Sequence, residues 1–310
     1  MGAVLAFPEP RGAAAVRRGM VWVEGGAFGM GADRRRSGGR PGQQVSVAGF
    51  WIDLHPVTNR EYARFVDETG WLTFAEIADD HLPPALMLPP QIGVAGSFVF
   101  GGPEGQPVDG WRYVPGASWR SPEGTGSTLA GLWDHPVVHV AWLDVQAYAL
   151  WVGKDLPTEA EWEFAAHGGL DGAELAWGDG LGPCGRARAN TWQDQLPRAR
   201  PTTGRDGRTT PVGVYPANGY GLRDMIGNVW EWTKDWWPDA GRRNSRALTR
   251  CDPELADAGI PRKVLKGGSH LCGPDHCRCC RPAARRAHPI DISTSHVGFR
   301  CVVRQPPKGD

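Results

Sequence analysis

The sequence carries no net charge: 34 Lys and Arg are matched by 34 Asp and Glu. No overall field therefore favours a nucleic acid or an anionic membrane, although Arg278, Arg281, Arg285 and Arg286 gather locally. The chain also lacks any apolar run approaching the ~20 residues that span a bilayer. Its opening, MGAVLAFPEPRGAAAVRRGM, is interrupted by Pro8 and Pro10 and has no secretory-signal core. These absences lead us to expect a cytoplasmic protein with neither a nucleic-acid nor a membrane partner. A second Cys-x-x-Cys pair is missing, so the usual four-ligand pattern of structural zinc is incomplete. There is no repeat of solenoid type.

What is plentiful is Gly (43), Pro (27) and Trp (15). Gly and Pro at these levels imply many turns and few long regular elements. The indoles argue against disorder, because such large surfaces need burial. One α+β domain with a high loop fraction is expected over residues 20–304, with a flexible segment 1–19 and a tail 305–310. The alternation Met20-Val21-Trp22-Val23 reads as a strand, and Val45 to Ile52 as a second. Thr58 with Glu61 forms a capping box opening a helix that Gly70 can close, with Tyr62, Phe65 and Val66 on its core face. Residues 76–132 read as an irregular packed insertion. Two helices are expected near 143–152 and 158–167, ended by Gly153 and Gly168, the second opened by the box Thr158/Glu161 after Pro157.

Four of the seven cysteines crowd into LKGGSHLCGPDHCRCCRP, as Cys272, Cys277, Cys279 and Cys280, with His270 and His276 among them. Gly273-Pro274 favours a turn that can bring Cys272 toward Cys277. Two thiolates with few other donors suit Cu(I) or Zn(II) and are poor for Mg(II) or Ca(II). A zinc cluster using Cys279 or Cys280, and plain burial of thiols as small hydrophobes, are the other readings of the same spacing. Asn190, Asp194 and Asp206, followed by Asp224 to Glu231, make an oxygen-rich stretch that suits either a hard cation or ordinary Asx turns and caps. His135 and His139 have no acidic partner nearby in sequence, and structural roles are expected for them.

The segments VEGGAFGMG, HPVTNREYARFV, HPVVHVAW, LPTEAEWEFAAHGGL, ANTWQ, NGYGLRDMIGNVWEWTKDWW, KGGSHLC and SHVGFRCV run in order from about residue 20 to 304. Together they resemble the formylglycine-generating enzyme, or sulfatase-modifying factor, family. The resemblance implies the family's C-type-lectin-like α+β fold, loop-rich with little regular secondary structure. It also implies a copper-dependent oxidase that uses O2 to convert the cysteine of a Cys-X-Pro-X-Arg motif into Cα-formylglycine. The partner would be an unfolded sulfatase polypeptide, and the protein a monomer. By the same resemblance Cys272 and Cys277 bind Cu(I), and the substrate cysteine joins them as a third sulfur ligand. Ser269 matches an active-site serine, Trp230 a tryptophan near the substrate, and Arg281 an arginine beyond the second cysteine. A first structural calcium would be held by Asn190 and Asp206 with the carbonyls of Thr191 and Arg208. A second would be held by Asp224 and Glu231 with the carbonyls of Gly227 and Val229.

The chain departs from the family pattern at His276, where Tyr is common, and at His296, where Asn is common. Cys279 and Cys280 stand where tyrosines often follow the second cysteine. Ala149 and Ala166 occupy the places of disulfide partners in secreted members, which leaves Cys301 unpaired and fits a reducing compartment. Two further readings belong to the same fold: a lectin-like binding module without chemistry, and an iron-dependent sulfoxide synthase. The second usually adds an N-terminal helical domain that ~20 leading residues cannot supply.

Overall fold

The computed structural model describes residues 16–31, 42–77, 94–101, 110–170, 173, 175–178, 188–191, 208–238, 260–272 and 279–304. Its strands, in chain order, are β1 (Met20–Val23), β2 (Gly26–Met30), β3 (Gln43–Val47), β4 (Phe50–Asp53), β5 (Gly96–Phe100), β6 (Trp111–Pro115), β7 (Trp230–Trp236), β8 (Arg262–Lys266), β9 (Arg285–Pro289), β10 (Val297–Gly298) and β11 (Val302–Arg304). Its helices are α1 (Asn59–Thr69), α2 (Trp142–Trp151) and α3 (Glu159–His167). The elements are short and the connections long, as the Gly and Pro content leads one to expect. No helix among the described residues is long and apolar enough to cross a membrane.

Local chemistry sets the helices. The Thr58 side chain accepts the Glu61 N–H at 3.3 Å while the Glu61 carboxylate accepts the Thr58 N–H at 2.8 Å. Gly70 closes α1 in the left-handed region, donating its N–H to the Val66 carbonyl. Thr158, Glu161 and Gly168 repeat the arrangement around α3. Helix α2 has no side-chain cap of this kind; the Asp144 carboxylate instead accepts the N–H of Ala141 and reaches out to the Phe74 N–H and the Trp71 indole. It thereby docks the 71–76 turn onto the helix.

Two expectations are refined. Val45–Ile52 is not one strand: β3 pairs only with β2, whereas β4 pairs with β1 and β11 in a separate sheet. The break falls at Ala48-Gly49, where a Cβ on Gly49 would lie 2.5 Å from the Trp22 ring. The 76–132 stretch is not wholly irregular, because β5 and β6 form an antiparallel hairpin in register Phe98↔Tyr113. The described chain also begins before β1, with a turn at 16–19 in which Val16 is buried and the Gly19 carbonyl accepts the Leu54 N–H.

The sheet that matters for the site has strand order β10-β7-β8-β9, parallel at β10–β7 and antiparallel elsewhere. Tyr62, Phe65, Trp119, Tyr148 and Phe299 pack in one buried cluster with Trp230, Trp232 and Cys272. Burial of each such aromatic contributes on the order of 2–3 kcal/mol. Helix α3 lies against β8, where the buried Lys266 ammonium meets the Glu163 carboxylate at 2.6 Å.

Candidate active site

The register of the sheet determines which residues share an end. Glu231 pairs with Lys266, Lys266 with Arg285, and Val297 with Trp230. The start of β7, the exit of β8, the entry to β9 and the start of β10 therefore lie together. That placement gathers Trp230, the Gly267–Cys272 segment, Cys279 to Arg281, and His296 at one end of the sheet.

Leaving β8, the chain turns through two glycines with left-handed backbone, Gly267 at φ 98° and Gly268 at φ 72°. Neither position accepts a side chain. A Cβ on Gly267 would meet the Trp162 ring at 3.0 Å, and one on Gly268 would meet the Cys280 sulfur at 2.8 Å. The next four residues, 269–272, form a closed turn in which the Cys272 N–H donates to the Ser269 carbonyl at 2.9 Å. All four are buried, Ser269 and Cys272 completely. The Ser269 N–H points at the Cys272 sulfur at 3.4 Å, and the Ser269 hydroxyl lies 3.9 Å from it. The Ser269 N–H is thus a donor aimed at that sulfur.

A second loop braces that turn. Asn228 sits at φ 59°, next to Gly227 at φ 76°. Its carbonyl accepts both the backbone N–H of His270 at 3.0 Å and a proton on the His270 Nδ1 at 2.8 Å. Its side-chain amide is bonded in both directions to the backbone of Thr210, and its N–H donates to the Asn190 carbonyl. The Gly227 N–H donates to the Gly267 carbonyl. Asn228 is thus the joint between the GNVWEW and GGSHLC segments. Its role was missed in the sequence; an Asn after Gly at a tight turn, where left-handed backbone is tolerated, is the signal that would have found it.

Trp230 is fully buried, and its indole N–H has no hydrogen-bond acceptor among the described residues. Its backbone N–H donates to the His296 carbonyl. The Arg286 guanidinium lies 5.8 Å from the centre of the Trp230 ring. His296 is also fully buried, with Nδ1 2.8 Å from the Thr294 hydroxyl and its ring 4.7 Å from that of Trp111. In the sequence Arg286 was read only as one of a local cluster of arginines, and Trp111 was not singled out. Arg281 is half-buried, at a turn where its carbonyl accepts the Ala284 N–H. His276, Cys277 and Asp206 lie outside the described residues.

Below this end of the sheet lies a buried ionic layer. The Arg300 guanidinium, entirely buried, donates from Nε to Glu231 Oε2 at 2.7 Å and from Nη2 to Oε1 at 2.8 Å. It also reaches the carbonyls of Asp53, Arg223 and Asp224. The Trp162 indole donates to the same Glu231 Oε2 at 2.7 Å. Burial pushes the Asp224 carboxyl above the usual range; the Gly213 N–H and Arg300 oppose that rise and Glu231 adds to it.

These groups can be tested against the expected metals. Cys272 offers a buried sulfur already receiving a hydrogen bond, which fits a soft ion. In the first calcium set, Asn190 Nδ2 donates to the Arg208 carbonyl at 3.0 Å and to Asn228 Oδ1 at 3.3 Å, with Thr191 next in the chain. The amide nitrogen is the donor to those two oxygens here, and oxygen ligands of this kind suit a hard cation. The second set is different, because Glu231 already has its charge balanced by Arg300 and both oxygens engaged. Asp224 and the backbone around Gly227 and Val229 are what remain there. The described residues contain no cluster of three or more His, Cys, Asp or Glu side chains placed to hold a metal.

Among the other cysteines, Cys301 is a fully buried free thiol, and burial raises its pKa well above the ordinary value. Ala149 and Ala166 are both buried.

Comparison with known proteins places this geometry. Residues 6–305 match the Sulfatase-modifying factor enzyme 1-like domain family. The formylglycine-generating enzyme of Mycobacterium tuberculosis is 46% identical over 297 residues, covering 91% of this chain and 97% of that protein. The mouse inactive C-alpha-formylglycine-generating enzyme 2 is 35% identical over 91% of this chain and 84% of its own. The structure of PvdO from Pseudomonas aeruginosa superposes with a TM-score of 0.56 at 25% identity, covering 91% of this chain and 93% of that one.

Proposed function

The chain belongs to the sulfatase-modifying factor enzyme family, and from that premise we propose that it is a formylglycine-generating oxidase acting on cysteine in sulfatases. We infer further that its target is the cysteine of an unfolded Cys-X-Pro-X-Arg segment, that it works with Cu(I) and O2, and that it is a cytoplasmic monomer. The observation that carries the reading is the buried Cys272 sulfur, held in a glycine-led turn at the end of the sheet where Trp230, His296 and Ser269 converge.

The residues divide the work. Ser269 supplies the N–H that aims the Cys272 sulfur, and its hydroxyl is near enough to hydrogen-bond a second sulfur brought alongside. Trp230 walls the site with an apolar face, and its buried indole N–H has no acceptor among the described residues. His296, held at Nδ1 by Thr294 and against Trp111, fixes the wall next to Trp230. The absence of exposed polar surface on residues 269–272 keeps water from the reacting sulfur.

A Cu(I) ion held by Cys272 and Cys277 would supply the activation of O2 that side chains alone cannot provide. In the overall reaction, substrate CH2–SH becomes CHO, the sulfur leaves as sulfide and the carbon gives up two electrons. Complete reduction of O2 to water takes four, so a thiol reductant supplies the other two. Calcium at Asn190, Thr191 and Arg208, with Asp206, would tie the 190 and 208 segments to Asn228 and so to the catalytic turn.

The test is oxygen consumption by the copper-loaded protein with reductant, with and without a Cys-X-Pro-X-Arg peptide. Peptide-dependent uptake that disappears in both Cys272→Ser and Cys277→Ser is expected. Uptake unchanged in either variant would remove the dithiolate from the mechanism.

A further inference from the structure

The proposed chemistry gives no task to Cys280, yet its sulfur touches the catalytic turn. Cys280 Sγ lies 3.7 Å from the carbonyl oxygen of Cys272 and 4.0 Å from that of Ser269, both within sulfur hydrogen-bond range. The approach is close enough that Gly268 must be glycine, since a Cβ there would come within 2.8 Å of the Cys280 sulfur and 3.0 Å of the Cys279 carbonyl. Cys280 also packs against two apolar clusters at once: the one that contains Cys272, and the smaller one of Ala176, Ala189 and Ile226. The thiol is therefore anchored on one side while its S–H reaches the two ends of the 269–272 turn.

We propose that Cys280 is a positioning residue whose S–H, shared between the Ser269 and Cys272 carbonyls, clamps the 269–272 turn and so fixes the direction of the Cys272 sulfur. The inference rests on the reading of Cys272 as the reactive thiol. The turn is closed internally by the Cys272 N–H to the Ser269 carbonyl, and the sulfur is aimed by the Ser269 N–H. Both of those bonds loosen if the Cys272 end of the turn swings away, and the contact from Cys280 to the Cys272 carbonyl opposes that swing. A thiol suits the place because the donor must be small enough to sit over Gly268 and apolar enough to pack between two hydrophobic clusters.

Two substitutions in the full chain separate this role from its alternatives. Cys280→Ala removes the donor, and Cys280→Ser keeps a donor of similar size but is a poor ligand for Cu(I). The first readout is Cu(I) affinity, by anaerobic competition with a chromophoric chelator. The second is the rate at which iodoacetamide alkylates Cys272 in the metal-free protein, followed by peptide mass spectrometry. Cys280→Ala should bind Cu(I) about fivefold more weakly and alkylate at Cys272 about fivefold faster, the scale of one weak sulfur-donated bond. Cys280→Ser should return both to within about twofold of wild type, since a hydroxyl donor replaces the thiol donor. Equal loss of Cu(I) affinity in both variants would show that Cys280 is itself a sulfur ligand and overturn the proposal. Wild-type values in Cys280→Ala would overturn it as well. Failure of the wild type to oxidise the peptide would instead refute the proposed function, and the alkylation comparison would still decide whether Cys280 holds the turn.

Discussion

The buried pair Arg300–Glu231 lies beneath the candidate site and gives a quantitative test of how that end of the sheet is held. Arg300→Met removes a fully buried guanidinium while roughly preserving volume. Glu231 would then be left as an unpaired buried carboxylate, with the Trp162 indole its one remaining side-chain donor among the described residues. Breaking a buried pair by removing one partner costs roughly 3–5 kcal/mol. The carbonyls of Asp53, Arg223 and Asp224 lose their donor too, which sets the expectation at the upper end of that range. For a domain of this size, at about 2 °C per kcal/mol, the melting temperature should fall by about 6–10 °C. The double variant Arg300→Met/Glu231→Gln removes both charges and keeps an acceptor for Trp162. It should therefore be more stable than Arg300→Met alone, by on the order of 1–3 kcal/mol. Urea unfolding of the four proteins in the cycle measures this. A single variant within about 1 kcal/mol of wild type, or a double variant worse than both singles, would refute the reasoning.

Further expectations follow from other sites. Burial holds the His288 ring neutral, with its pKa lowered to about 3, the charges of Arg286 and Arg262 helping and the Ile292 carbonyl opposing. A histidine depressed in this way contributes stability above its unfolded value of about 6.5 and loses it as pH falls toward the folded value, at about 1.4 kcal/mol per pH unit. The stability gap between wild type and His288→Gln should therefore shrink from pH 6.5 to pH 4 at about that slope. A gap independent of pH would count against a buried neutral ring. The difference must be measured because Asp144, raised to about 7, and Asp291, raised to about 6, both by burial, run the opposite way in the parent protein. Thr158→Ala should cost about 1 kcal/mol, as for a lost N-cap. Glu161→Ala should cost more, because the same carboxylate also holds Arg304 on β11 by two contacts of 2.6 Å; equal losses would show that the Arg304 pair contributes nothing. Removing calcium with a chelator should lower the melting temperature, and an unchanged curve would remove the proposed cation at Asn190 and Arg208.

What could be read from the sequence was whatever local chemistry encodes. The boxes Thr58/Glu61 and Thr158/Glu161, with Gly70 and Gly168, fix two helices within a few residues of chain. The crowding of cysteines around Cys272 pointed to the candidate site, whereas the turn expected at Gly273-Pro274 and the second cysteine, Cys277, lie outside the described residues. Long-range pairing was not readable. Gly96–Phe100 and Trp111–Pro115 are separated by a Gly- and Pro-containing stretch, and β5 is also held by contacts with Ser293 and Ser295 nearly two hundred residues away. The Val45–Ile52 run has strand composition throughout, and only the Trp22 ring against Gly49 shows why it must divide. Arg300 looks like a surface charge in sequence, and only the fold reveals that Glu231, 69 residues earlier, is its partner. Arg286 over Trp230 and Trp111 against His296 escaped notice for the same reason.

The central claim is that the Cys272 turn belongs to a machine that makes an aldehyde from a peptide cysteine. Its most direct test is mass spectrometry of a Cys-X-Pro-X-Arg peptide incubated in air with the Cu(I)-loaded protein and a thiol reductant. The account predicts a mass loss matching the change from CH2–SH to CHO, located at the cysteine and absent with Cys272→Ser. An unmodified peptide, with copper shown to be bound, would contradict it.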